Sequence, residues 1–112
     1  MSSSEFAVEV GSLDAGAAVI RVRGELDMST SPELTAAVSR AGAGATTVQL
    51  DLSAVTFLDS SAIGALVSAG SELAEAGHRL QIGLRSDIVN RVLEITGLAE
   101  PSDAFDVLPQ SA

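Results

Sequence analysis

The chain contains no cysteine, no tryptophan, no tyrosine and no lysine among its 112 residues. Without cysteine it can form neither a disulfide framework nor a thiolate metal site. Its six basic residues are all arginine, and 15 acidic residues bring the net charge to −9. Proteins that bind nucleic acid or anionic membranes present a positive surface, and this composition supplies none. We therefore expect no nucleic-acid partner.

Aromatic residues are also scarce, at 3%, whereas apolar residues make up 46% of the chain. This composition predicts an aliphatic core, and the length predicts a single domain over residues 1–112 with an ordered core at about 5–108. No apolar stretch approaches the roughly 20 residues of a membrane span, and the first five residues resemble no secretory leader. We expect a cytoplasmic protein without a membrane span.

Two alternating segments separated by turn residues predict an antiparallel hairpin over 6–10 and 17–23. Strand and helix periodicities alternate after it, and strands that alternate with helices pair in parallel. The sequence therefore predicts an α/β fold, a small mixed sheet with packing helices. The further elements expected are a helix from Thr30 ended by Gly42 and Gly44, strands at 47–52 and 55–58, a helix from Ser60 ended by Gly77, a strand at 80–84, a helix capped by Ser86 or Asp87 and ended by Gly97 and Pro101, and an edge strand at 105–108.

The start of the first helix has the spacing of a capping box. Thr30 and Glu33 are three residues apart, and Pro32 lies in the first turn, where its missing N–H does no harm. We expect Thr30 and Ser31 to be caps rather than functional residues.

The run 58–64, Leu-Asp-Ser-Ser-Ala-Ile-Gly, follows an apolar strand and opens an apolar-periodic helix. It places two hydroxyl groups where unpaired N–H groups and the helix dipole favour a phosphate. The same residue types are also favoured at helix starts for capping alone, so the run by itself leaves both interpretations open.

Two segments, Val22-Arg-Gly-Glu-Leu-Asp27 and LDLSAVTFLDSSAIGAL at 50–66, resemble a STAS domain of the anti-sigma-factor antagonist family. The likeness runs from about Phe6 to Leu108. It implies that Ser60 is phosphorylated by a partner that is both an anti-sigma factor and a serine kinase. The unphosphorylated form would bind that partner and release a sigma factor, and a serine phosphatase would restore this form.

The resemblance also places the loop containing Asp27 beside the phosphorylation site. Family members often have glycine where Ala62 stands, and they usually end with a further helix, which we expect to be absent or a single turn here. The residues expected to contact the partner are Asp27, Asp59, Ser60, Ser61 and Ala62.

Catalysis by the chain itself is not expected. A triad of Ser60, His78 and either Asp59 or Asp51 fails, because His78 follows the helix that Ser60 opens and lies about 24 Å away. Asp51 at a strand end resembles the phospho-accepting aspartate of a receiver domain, but that site includes a lysine. One histidine and scattered carboxylates give no metal-ligand spacing. We expect no cofactor and no metal.

The remaining arginines are expected at the surface. Arg21 and Arg23 would lie on the exposed face of a strand, and Arg85 and Arg91 on solvent or partner surfaces. An alternative function for a STAS domain is ligand sensing, with a nucleotide or lipid bound by a module of a transport or signalling complex.

Overall fold

The computed structural model describes residues 5–14, 16–100 and 102–110. Five strands form one sheet in the order β1-β2-β3-β4-β5, with β1 antiparallel to β2 and the other neighbours parallel. The predicted mixed α/β fold with an initial hairpin is confirmed. The elements are β1 (Ala7–Asp14), β2 (Ala17–Leu26), α1 (Ser31–Gly44), β3 (Thr47–Leu58), α2 (Ser60–Glu75), β4 (Arg79–Arg85), α3 (Asp87–Thr96) and β5 (Asp106–Val107).

The alternation along β2 decides which face of the sheet the core covers. Ile20, Val22 and Leu26 are buried, whereas Arg21 and Arg23 between them are exposed. The buried residues of β2, β3 and β4 join apolar residues of all three helices in one cluster. The helical members of that cluster are Leu34, Ala37, Val38, Ala62, Leu66, Ala69, Leu73, Val89 and Leu93.

Two glycines are required by close approaches of the backbone. Gly24 has φ +98°, and a Cβ there would lie 2.9 Å from the carbonyl oxygen of Glu5 and from the Cα of Phe6. On α2, a Cβ at Gly70 would overlap the carbonyl oxygen of Ala104. The first glycine lets the chain before β1 pack on β2, and the second lets the segment before β5 pack on α2.

Two expected element boundaries differ from the structure. The strands expected at 47–52 and 55–58 are one strand, β3, which contains a bulge: its register against β2 moves from Arg21 opposite Asp51 to Arg23 opposite Ala54. Helix α1 continues through Gly42, which is buried, to Gly44. Gly97 ends α3 with φ +79°, as predicted, while Pro101 lies outside the described residues.

Arg85 corrects a further expectation, because its guanidinium is bound within the fold rather than presented to solvent or a partner. It donates to Asn90 Oδ1 and to the carbonyl oxygens of Gly83 and Leu108, each at 2.8 Å. Burial lowers the pKa of this guanidinium. Arg79 similarly donates to both carboxylate oxygens of Asp106, at 3.0 and 2.7 Å. The two arginines hold the C-terminal segment against β4.

Candidate functional site

The start of α2 is defined by Asp59, which follows β3 directly. Its backbone is extended, and its carboxylate accepts a hydrogen bond from the N–H of Ala62 at 3.0 Å. Its carbonyl oxygen accepts the N–H of Ile63 at 3.1 Å, the first bond of the helix. Asp59 is therefore the N-cap, and Ser60 is the first helical residue.

Ser60 and Ser61 are both exposed. Within the described residues neither hydroxyl donates or accepts a hydrogen bond, and the first turn of α2 contains no acidic residue. The N–H groups of Ser60 and Ser61, at the start of α2, have no intrahelical acceptor. A phosphoryl group on Ser60 would thus break no intramolecular bond, and the helix dipole would offset part of its charge.

Ala62 lies differently from the other expected contact residues. Only 1% of it is exposed, and its methyl group belongs to the apolar core. Because the third residue of α2 faces the sheet, the side chain of Ala62 is not available to a partner, which corrects the expectation for this residue. Its small size lets α2 begin close to the sheet.

The loop between β2 and α1 lies next to this helix start. Leu26 and Leu58 are paired at the carboxyl ends of β2 and β3, and the N–H of Asp59 donates to the carbonyl oxygen of Leu26 at 3.2 Å. Asp27 and Asp59 therefore follow adjacent strands at one end of the sheet, where parallel α/β sheets commonly form sites. The structure therefore places the β2–α1 loop, which contains Asp27, beside Asp59 and the start of α2, which contains Ser60 and Ser61.

Asp27 organises its own loop. Its carboxylate accepts hydrogen bonds from the hydroxyl of Ser29 at 2.8 Å, from the N–H of Ser29 at 3.0 Å and from the N–H of Thr30 at 3.2 Å. These bonds, that of the Ser29 hydroxyl foremost, hold the pKa of Asp27 below its usual value. The residue is an ionised, structured acceptor at the rim of the site.

The capping box predicted for α1 does not form. Thr30 occupies the N-cap position without a side-chain cap bond. Its hydroxyl instead donates to the carbonyl oxygen of Glu25 at 2.8 Å and accepts the N–H of Asp27 at 2.9 Å. Ser31 is 6% exposed, and its hydroxyl donates to the carbonyl oxygen of Asp27 at 2.6 Å. Both hydroxyls stabilise the loop, so they are structural, as expected, by a different set of bonds.

Two exposed apolar side chains at this end of the sheet were missed. Met28 in the β2–α1 loop is 75% exposed, and Phe57 near the end of β3 is 46% exposed. Large exposed apolar residues are unusual enough to indicate contact surfaces when they cluster with other site residues. The sequence signal was available: consecutive strand residues point to opposite faces, so Phe57 and Leu58 cannot both enter the core.

The groups considered for catalysis lie apart. His78 follows the 16-residue helix α2 at the end opposite Ser60. It is half-buried rather than exposed, and its Nδ1 atom is buried without a partner among the described residues, which corrects the expectation of a solvated terminal residue. Asp51 is bound by the N–H and hydroxyl of Ser53 on β3. Residues 5–14, 16–100 and 102–110 contain no group of three His, Asp or Glu side chains arranged to hold a metal ion.

The family model described as "Mlab, STAS domain" matches residues 11–109. The chain belongs to the STAS-domain family. No curated protein sequence matches it. Across the described part of this STAS domain, no helix is both long and apolar enough to cross a membrane.

Solved structures similar to this STAS domain agree with the assignment. An anti-sigma factor antagonist from Mycobacterium paratuberculosis is 28% identical, with 96% of this chain and 89% of that one covered and a TM-score of 0.79. Unphosphorylated SpoIIAA, also an anti-sigma factor antagonist, is 25% identical, with 92% and 89% covered and a TM-score of 0.72. Phosphorylated SpoIIAA from Bacillus, 24% identical over 92% of each chain with a TM-score of 0.67, shares the fold.

Proposed function

We propose that this STAS domain is an anti-sigma-factor antagonist whose state is set at Ser60. The unphosphorylated form binds an anti-sigma factor that is also a serine kinase, and a sigma factor is thereby released. Phosphorylation of Ser60 ends the binding, and a serine phosphatase restores it. The observation that carries the proposal is the exposed hydroxyl of Ser60, which makes no hydrogen bond to any residue that the structure describes and lies at the first position of α2, beside the β2–α1 loop.

The switch acts by charge rather than by refolding. A phosphoryl group adds about −1.5 to −2 charge, beside the carboxylate of Asp59. No arginine lies in the first turn of α2 to neutralise it, so the group remains at the surface. A partner docked over Ser60 would meet a desolvated dianion, and like-charge contacts at an interface cost several kcal/mol.

The proposed contact surface consists of Asp27, Met28, Phe57, Ser60 and Ser61, with Asp59 at its rim. The exposed apolar side chains of Met28 and Phe57 would supply the area buried by the partner. Asp27, held ionised by its loop, would supply a directed acceptor for an arginine or lysine of the partner. This combination is that of a binding module, and the chain is the substrate of the kinase rather than a catalyst.

The test is phosphorylation by the candidate anti-sigma kinase with ATP, followed by mass spectrometry of the intact protein and of its peptides. We expect an increase of about 80 Da, one phosphoryl group, located on Ser60. Ser60→Ala should abolish it. Ser61→Ala is the matched control, since Ser61 is the equally exposed neighbour, and it should still be phosphorylated. Label on Ser61, or undiminished label on Ser60→Ala, would overturn the assignment.

The binding half of the proposal has its own measurement. Ser60→Asp should weaken binding to the anti-sigma factor by about 100-fold or more, which is equivalent to about 3 kcal/mol. Ser60→Ala should bind as the parent protein does, because it adds no charge. If Ser60→Asp bound with the parent affinity, the charge mechanism would be wrong even if Ser60 were the phosphorylated residue.

A further inference from the structure

The face of the sheet opposite the core carries a pocket that the proposed function does not use. Its volume is about 150 Å³, and its walls come from β1, β2 and β3. The side chains that decide its chemistry are Ala7, Glu9, Arg21, Arg23, Asp51 and Ala54. A single water molecule needs only about 10–15 Å³ measured in this way, so the pocket has room for a small ligand group.

The pocket lies at the bulge in β3. The two-residue interval from Arg21 to Arg23 on β2 is paired with the three-residue interval from Asp51 to Ala54 on β3. The extra residue turns the hydroxyl and N–H of Ser53 onto the carboxylate of Asp51, at 2.6 and 3.0 Å. Bulges re-aim side chains and are enriched next to functional sites.

The residues that line the pocket form two rows across the strands, with an arginine of β2 in the middle of each row. In the first row, Arg21 lies between Glu9 and Asp51, and its Nε atom is 3.9 Å from the Asp51 carboxylate. In the second row, Arg23 lies between Ala7 and Ala54. Within the described ranges, no carboxylate or other acceptor lies in bonding range of the Arg23 guanidinium.

Arg23 stands out against the arginines that the fold uses. Arg79 and Arg85 donate to carboxylate, amide and carbonyl oxygens of their own chain. In a protein of net charge −9, Arg23 is paired in register with two alanines, so its guanidinium has no counterion on the directly opposite strand positions. A guanidinium presents a planar fork of donors that matches the two oxygens of a carboxylate or phosphate.

We propose that this pocket binds a small oxyanion, the carboxylate or phosphate group of a small molecule, through Arg23. Ala7 and Ala54 leave the space that the anion occupies, and Glu9 and Asp51 close the pocket on the side of Arg21. Because these carboxylates repel extended polyanions, the site selects a short ligand with a single anionic group. The bulge and Ala54 lie four residues before Leu58, about 13 Å along the strand, so the site is separate from Ser60.

The test is an NMR titration of the full chain with inorganic phosphate and, separately, with acetate, at an ionic strength held constant with sodium chloride. We expect saturating shifts of the amides of Arg23, Ser53 and Ala54. The anion that binds more tightly identifies the ligand group as phosphate or carboxylate. Arg23→Gln should weaken binding about tenfold or more, which corresponds to the loss of a charge-assisted hydrogen bond.

Three further variants distinguish binding in this pocket from a general effect of charge and from the switch at Ser60. Arg91→Gln removes the same charge from the exposed face of α3 and should leave the titration unchanged. Ala54→Ile fills the pocket at an exposed strand position without altering charge and should abolish the shifts. Ser60→Ala should bind the anion normally, so failure of the switch at Ser60 would not imply failure here. Linear, non-saturating shifts, or equal weakening by Arg91→Gln, would overturn the proposal.

Discussion

Helices α1 and α2 begin at adjacent strand ends with similar sequences, yet their hydroxyl groups have opposite fates. Thr30 and Ser31 occupy the N-cap and first position of α1, Ser60 and Ser61 occupy the first two positions of α2, and an aspartate, Asp27 or Asp59, precedes each pair. The hydroxyls at α1 are bound to backbone groups of the β2–α1 loop. Those at α2 are exposed and make no bond within the described residues.

The length of the connection explains the difference. Four residues link β2 to α1, and their backbone N–H and carbonyl groups need partners, which the side chains of Asp27, Thr30 and Ser31 supply. A single residue, Asp59, links β3 to α2, and its one cap bond completes the connection. The short connection thus leaves Ser60 and Ser61 exposed, whereas the longer loop binds the hydroxyls of Thr30 and Ser31.

Introducing charge at the two helix starts should produce the largest contrast. Ser31→Asp places a carboxylate at a position that is 6% exposed, against the carbonyl oxygen of Asp27, and should lower the free energy of unfolding by about 3 kcal/mol or more. Ser60→Asp should change it by no more than about 0.5 kcal/mol, since an exposed acid near a helix N-terminus is tolerated. Urea unfolding of both variants measures the difference. Equal destabilisation would mean that Ser60 is as structural as Ser31.

Removal of the α2 cap should have the next largest effect. Asp59→Ala deletes the bond from the N–H of Ala62 and should lower the free energy of unfolding by about 1 kcal/mol. Asp59→Asn keeps an acceptor oxygen and is the matched control, expected to lose less. Hydrogen exchange should locate the change in the first turn of α2, and uniform exchange across the domain would contradict a local capping role.

Deletion of single hydroxyl groups should produce smaller differences in the free energy of unfolding between the two helix starts. Ser31→Ala loses a buried hydrogen bond and should lower the free energy of unfolding by about 0.5–1 kcal/mol, because the carbonyl oxygen of Asp27 still accepts the N–H groups of Thr30 and Ser31. Ser60→Ala and Ser61→Ala should each stay within about 0.5 kcal/mol of the parent protein. Urea unfolding again provides the measurement, and a loss at Ser60 that matched the loss at Ser31 would reveal a hidden bond.

The contrast between the two helix starts also shows which features of the structure could be predicted from the sequence. Periodicity and turn residues predicted the hairpin, the parallel strands and the exposed helix start at Ser60, because each depends on local pattern. The prediction for Thr30 was wrong because its hydroxyl bonds within the four-residue loop instead of forming a capping box. The prediction for Arg85 was wrong because its acceptors are on β4, on α3 and in the C-terminal segment. Ala62 was expected to contact the partner, but its side chain lies in the core. Hydrogen bonds between distant segments, and the direction in which a side chain of the first helical turn points, depend on tertiary packing. Local sequence patterns do not reveal that packing.

Lowering the pH should weaken the β2–α1 loop by protonating Asp27. The hydrogen bonds from Ser29 and Thr30 lower the pKa of Asp27 in the folded protein relative to the unfolded chain. A lowered folded-state pKa contributes stability that is present above the ordinary value of 3.8 and is lost as pH falls through the lowered folded value. The amide resonances of Ser29 and Thr30, which donate to this carboxylate, should therefore titrate with a midpoint below 3.8, and Asp27→Asn should remove that transition. A midpoint at or above 3.8 would show that the loop does not favour the ionised carboxylate, and the argument that Asp27 offers a partner a fixed negative charge would lose its basis.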